Sequence, residues 1–200
     1  MKLLTALRVR FADWIIARAM KTPYWHLTNR DGSPYMNRYW VARFGDGGLN
    51  DEGERVPWIA LRVHWIRSGD DGRDYHDHPW NFVSWILRGG YHEERPVTAA
   101  GGVMGTGAEE YRADPAGPYA RHTYLAGDVL FRKATNWHRL RLPGEYRDTG
   151  TWTLVLTFPV AQKWGFLVDG RKVLSREYFK ARKFAQAMSR VRLYRAPRAH

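Results

Sequence analysis

The chain has 200 residues, enough for one domain with a sizeable core and extra terminal segments. It has no cysteine, which excludes disulfides and thiolate metal sites. No apolar run is long enough for a membrane span, and the N-terminal stretch is too broken by Arg8, Arg10, Asp13 and Arg18 for a secretory leader, so a cytoplasmic protein is expected. The net charge of +12 is uneven: residues 1–30 carry +5 and residues 171–200 carry +9, against −2 for 31–170. The basicity therefore belongs to the two ends and not to a face of the central fold.

Residues 1–30 read as an amphipathic helix over 3–20 and a linker, with Leu4, Leu7, Phe11, Trp14 and Ile15 as the stripe meant to lie on the rest of the molecule. Its basic polar side also suits a membrane surface. Residues 31–170 change texture to short aromatic and β-branched runs separated by Gly, Asp and Pro. Strands are expected at 36–44, 58–67, 74–78, 81–88, 91–95, 119–125, 128–133, 137–142 and 151–159. In 58–67, Ile59, Leu61, Val63 and Trp65 take one face, and Trp58, Arg62 and His64 the other. Residues 97–118 read as a long loop, and Asp169-Gly170 as a hairpin turn. Residues 171–200 hold a second helix, over 174–193, with Phe184, Ala187, Met188 and Val191 as its apolar stripe, and a basic tail. Many short strands without helices between them point to an antiparallel sandwich or barrel.

The chemistry-bearing pattern is DYHDHPW. On a strand, His76 and His78 point to one face and Asp77 to the other, so the two imidazoles can reach one ion. Gly89 and Gly90 follow 11 and 12 residues after His78, and in GDVLFRKATNWH the histidine, His138, stands eleven residues after Gly127. These two spacings, in this order, resemble the two motifs of the cupin superfamily. The rhamnose-epimerase-like jelly rolls are the nearest type. HDHPWNFVSWILRGGYHEE, NWHRL, WTLVLTFP and KWGF are similar to uncharacterised cupin-like proteins of phages and prophages, which would place the protein in the cytoplasm of a phage-infected or lysogenic bacterium. The resemblance implies a mainly β, cupin-type double-stranded β-helix (jelly-roll barrel) with N-terminal and C-terminal α-helices. It also implies one divalent transition metal, with Fe, Ni, Mn, Cu and Zn not distinguished, held by His76, His78 and His138.

The sequence departs from the cupin pattern where the motif's glutamate ligand would stand, at Phe82 or Val83, and where its leading glycine would stand, at Asp70. A three-histidine site of the kind found in thiol dioxygenases is the implied outcome. His64, His122 and Glu93 are candidates for a fourth ligand or for orienting the others, although Glu93 and Glu94 also read as solvated strand charges. Around the pocket the expected residues are Arg62, Trp80, Trp85 (or Phe82), Arg88 and Trp137, an arginine among aromatics favouring a carboxylate or phosphate. Three functions follow from this. The first is a metal-dependent enzyme, dioxygenase-like or isomerase-like, on a small polar or anionic molecule; its metal-free variant is an epimerase with a His base and Tyr75, Tyr91 or Tyr124 as acid. The second is a non-catalytic binding module, and the third is nucleic-acid or anionic-surface binding through the basic termini. A homodimer is compatible with the resemblance.

Overall fold

The computed structural model describes residues 2–29, 31–49, 55–70, 74–97, 110–112 and 118–181. Helix α1 (Lys2–Ala19) is followed by strands β1 (Pro23–Thr28), β2 (Pro34–Phe44), β3 (Ile59–Ile66), β4 (Trp80–Arg88), β5 (Gly90–Pro96), β6 (Glu110–Arg112), β7 (Tyr119–Leu125), β8 (Val129–Arg132), β9 (Arg139–Arg141), β10 (Thr151–Val160), β11 (Gly165–Val168) and β12 (Arg171–Leu174), then helix α2 (Ser175–Ala181). One antiparallel sheet runs β1-β2-β3-β10-β4-β8, a second β6-β7-β5-β9, and β11-β12 is a hairpin. This is the expected mainly β jelly roll with a helix at its N-terminal end. No helix among the described residues is long and apolar enough to cross a membrane.

Strand alternation divides the six-stranded sheet into two faces. The inward face carries Ile66, Ile86 and Leu130, which join Leu27, Met36, Tyr91 and Leu140 between the sheets. The outward face carries Tyr39, Val63, Leu87 and Trp152, and α1 covers it with Ala12, Ile15, Ile16 and Ala19. Of the expected helix stripe, Ile15 packs inward as expected, but Leu4, Leu7 and Trp14 face outwards and are exposed. The two alanines let the helix backbone approach the large rings of Tyr39 and Trp152, which longer side chains would hold off.

Several local features follow from single residues. Gly89 forms the one-residue turn between β4 and β5 at φ +76°, where a Cβ would collide with Thr151 and Gly150. Asp169 and Gly170 both have positive φ, as a two-residue type I′ hairpin requires, and they close β11 onto β12 as expected. Two expectations are revised. Residues 23–28, read as linker, form β1 on the edge of the sheet, because Trp25, His26 and Leu27 find partners in β2. Residues 74–78 are no ladder strand; His76 makes isolated bridges to His138 and to Phe166. Beyond Ala181, the expected C-terminal stripe and basic tail lie outside the described residues, as does most of the 97–118 loop.

Candidate metal centre

The extended segment 74–78 is held between β9 and the β11–β12 hairpin. The His76 amide donates to the His138 carbonyl (2.9 Å) and the His138 amide to the His76 carbonyl (3.0 Å), so the two histidines stand side by side. Asp77 points away from them, as alternation requires. It accepts from the Gly165 amide (2.7 Å), Gln162 Nε2 (2.9 Å) and Lys172 Nζ (2.5 Å), which fasten the hairpin to this segment. His78 is fixed by its amide, which donates to the Ala134 carbonyl, and by its own carbonyl, which accepts from Gln162. This backbone frame turns three imidazoles inward.

One potential ligand atom from each of His76, His78 and His138 lies within 4.8 Å of the others. His78 Nε2 and His138 Nε2 are 2.7 Å apart. The opposite nitrogen of His138, Nδ1, stands 2.6 Å from Glu93 Oε1. Burial alone would push the Glu93 carboxyl up, but hydrogen bonds from His138 and Arg132, and their charges, hold it well below the usual range. An ionised carboxylate only accepts, so His138 Nδ1 carries the hydrogen and Nε2 is aimed at the centre. His76 has its Nδ1 3.9 Å from the buried Asp70 carboxylate. The His78 imidazole is held neutral, first by burial and then by the neighbouring His138, His76, Arg38 and His64.

Three imidazole nitrogens converging on one point, two of the rings with a carboxylate near the other nitrogen, form a donor set that suits a divalent transition metal. No further protein ligand joins the group among the described residues. Phe82, one of the two positions where the sequence pattern would place a glutamate, packs edge-on against His78, ring centres 4.8 Å apart.

The remaining candidates separate clearly. Glu93 is fully buried on the inward face of β5. It is fastened by Arg95 (2.6 Å) and by both Nε and Nη2 of Arg132 (2.9 and 2.5 Å), so it is a buried anchor for His138 and not a solvated strand charge. Glu94, on the other face, is equally buried against Arg121, Arg139 and Arg141. Trp80 stacks on His78 (5.2 Å), and Arg62 lies over the Trp80 ring (5.6 Å). His64 stands beside Arg62 on the inward face of β3, opposite Arg38 of β2. His122 pairs with Glu93 across β5 and β7 and stacks on Tyr124. Of the tyrosines, Tyr124 offers its hydroxyl to Arg132 (2.8 Å), and Tyr91 is buried in the inter-sheet core.

Three expected pocket residues lie elsewhere. Trp85 alternates with Phe82 and Ser84, so it points outward and stacks on Phe11 of α1 (5.2 Å). Arg88 shares the parity of Phe82, but a register shift between β4 and β10 turns the strand end, and it pairs with Asp13 on the helix. Trp137 precedes inward-facing His138 and packs on the opposite side with Tyr75, Tyr119 and Leu167. Asp70, by contrast, was not foreseen; a carboxylate where the pattern has glycine was the only sign of it.

No family model matches the chain, and no curated protein matches it. Solved structures with a similar chain path include the DMSP lyase DddQ from Ruegeria pomeroyi DSS-3 (17% identity, 78% of this chain and 62% of that one, TM-score 0.40). Another is the iron(II) form of HppE with an alternative substrate (14% identity, 68% and 55%, TM-score 0.41). A third is a cupin superfamily protein from Desulfitobacterium hafniense DCB-2 (10% identity, 62% and 76%, TM-score 0.35). The chain thus spans less than two thirds of the length of the first two.

Proposed function

We propose that His76, His78 and His138 hold one divalent transition metal through Nε2, and that the protein is a metal-dependent enzyme acting on a small polar molecule inside the barrel. The observation that carries this reading is the convergence of three imidazole nitrogens within 4.8 Å, with Glu93 fixing the ring of His138 from behind. A divalent ion held by three imidazoles, with its other positions open, supplies Lewis-acid or redox chemistry. Around it, Glu93 holds the proton at His138 Nδ1, Asp70 faces Nδ1 of His76, and Phe82 and Trp80 pack their rings against His78. The metal's identity is not selected by these ligands, because imidazole suits Fe, Ni, Cu and Zn alike.

Phe82 in place of a carboxylate ligand favours one second reading, a barrel that binds its small molecule without turning it over. Elemental analysis of purified wild type beside His78→Ala tests the metal. The proposal expects close to one equivalent in wild type and its loss in the variant. Equal and negligible metal in both would move the assignment to a metal-free binding module.

A further inference from the structure

Arg62 is a charge inside the barrel for which the metal centre gives no reason. Its side chain is only 8% exposed, and its Nε is shielded from solvent with no hydrogen-bond partner among the described residues. Burial opposes its charge most; the Tyr24 phenol favours it, while Arg38, diagonally across on β2, is another cation and opposes it. Glu93 is already shared by Arg95, Arg132 and His138. Instead of a carboxylate, Arg62 has indoles: its guanidinium carbon lies 4.8 Å from the centre of the Trp40 ring and 5.6 Å from that of Trp80. Cation–π contacts of this kind offset only part of the cost of burying an unpaired cation. They cover the guanidinium with rings and leave its N–H groups for a partner that the described residues do not supply.

His64 adds a second unsatisfied group on the same face. It stands two residues along β3 from Arg62, and its buried Nε2 also lacks a partner among the described residues. Burial, then Arg38 and Arg62, keep its ring neutral, so it offers a hydrogen bond and not a counter-charge. The metal side adjoins directly, since the Trp80 indole that carries Arg62 also stacks on His78.

From this arrangement we infer that Arg62 and His64, walled by Trp40 and Trp80, form a subsite for the oxyanion group of a small molecule, a carboxylate or a phosphate, bound beside the three-histidine centre. The inference deepens the metal-centre reading and names its ligand class. A buried guanidinium presents several N–H donors to two oxygens of such a group, and the anion supplies the missing charge. A neutral small molecule would leave Arg62 uncompensated.

The test uses the full chain, chelator-treated and then reloaded with zinc, with acetate, oxalate and inorganic phosphate as probes and acetamide as the uncharged counterpart of acetate. Calorimetry gives affinities, and metal content and melting temperature are measured on each sample. At least one oxyanion is expected to bind both metal forms and acetamide neither. Arg62→Met is expected to weaken oxyanion binding at least tenfold, with metal content unchanged and the ligand-free melting temperature no lower, and Arg62→Lys is expected to restore part of the affinity. Oxyanion affinity unchanged in Arg62→Met, or a lower melting temperature with unchanged affinity, would make Arg62 an internal strut and overturn the inference. Arg62-dependent binding in a protein that takes up no zinc would leave the inference standing and sink the metal-centre reading. Zinc uptake without oxyanion binding would do the reverse.

Discussion

Replacing Glu93 with glutamine probes the support of the site without touching a proposed ligand. The side chain is fully buried and accepts two hydrogen bonds from Arg132, two from Arg95 and one from His138. The amide keeps the shape but removes the charge, and sets its own N–H2 against donors. Arg132 is then left without a carboxylate among the described residues. Breaking a buried ion pair on one side costs about 3–5 kcal/mol. For a chain of this size, at roughly 2–4 °C per kcal/mol, that is a fall in melting temperature on the order of 6–20 °C. His138 would also lose the acceptor that fixes its tautomer, and such losses typically weaken metal binding about 10–100-fold. Denaturant unfolding of metal-free protein, followed by tryptophan emission, measures the first effect. Metal titration of folded protein measures the second. Stability within about 1 kcal/mol of wild type together with unchanged metal affinity would refute the role given to Glu93, since a buried ion pair broken on one side costs well above that.

Other consequences are independent of that one. His64 and His78 are held neutral in the folded chain but take up protons once unfolded, so the unfolded form binds more protons below a pH of about 6.5. Metal-free stability is therefore expected to be full above that pH and to fall by up to about 1.4 kcal/mol per pH unit for each of them as the pH drops, read from urea midpoints between pH 7 and 5; a flat profile would contradict their burial. Glu93 and Glu94, whose carboxyls are held down, add stability that is present above the usual carboxylate range and lost as acid reaches their lowered values. Ile16→Ala empties a buried contact of α1 and is expected to cost about 2–5 kcal/mol with metal uptake unchanged; loss of metal in a folded variant would tie the helix to the site. Asp77→Ala removes the acceptor of three donors that fasten the hairpin beside His78, so hydrogen exchange should rise in 162–174 and metal affinity should fall.

The two-sheet architecture was legible because its signal is local. Period-two alternation fixed which residues of β3 face the helix and which face the barrel, and Asp169-Gly170 fixed a hairpin. The convergence of His76, His78 and His138 was legible from spacing within motifs. Side-chain partners between distant strands were not. Nothing along the chain says that Arg95 and Arg132 neutralise Glu93, so it reads equally well as a surface charge. Trp85 and Trp137 were misplaced although parity with Phe82 and His138 already put them on opposite faces, whereas Arg88 was hidden by a bulge that only pairing reveals. The inward face of α1 does not follow from residue size, because the contact is made by Ala12 and Ala19 beside two isoleucines while the larger Leu4, Leu7 and Trp14 are exposed.

X-ray absorption at the edge of zinc or iron bound to the full chain, in wild type and His138→Ala, goes to the heart of the account. Three imidazole nitrogens at about 2.0–2.2 Å in wild type, and two in the variant, are predicted. A bound ion with no imidazole scattering, or with a spectrum unchanged by the substitution, would contradict it.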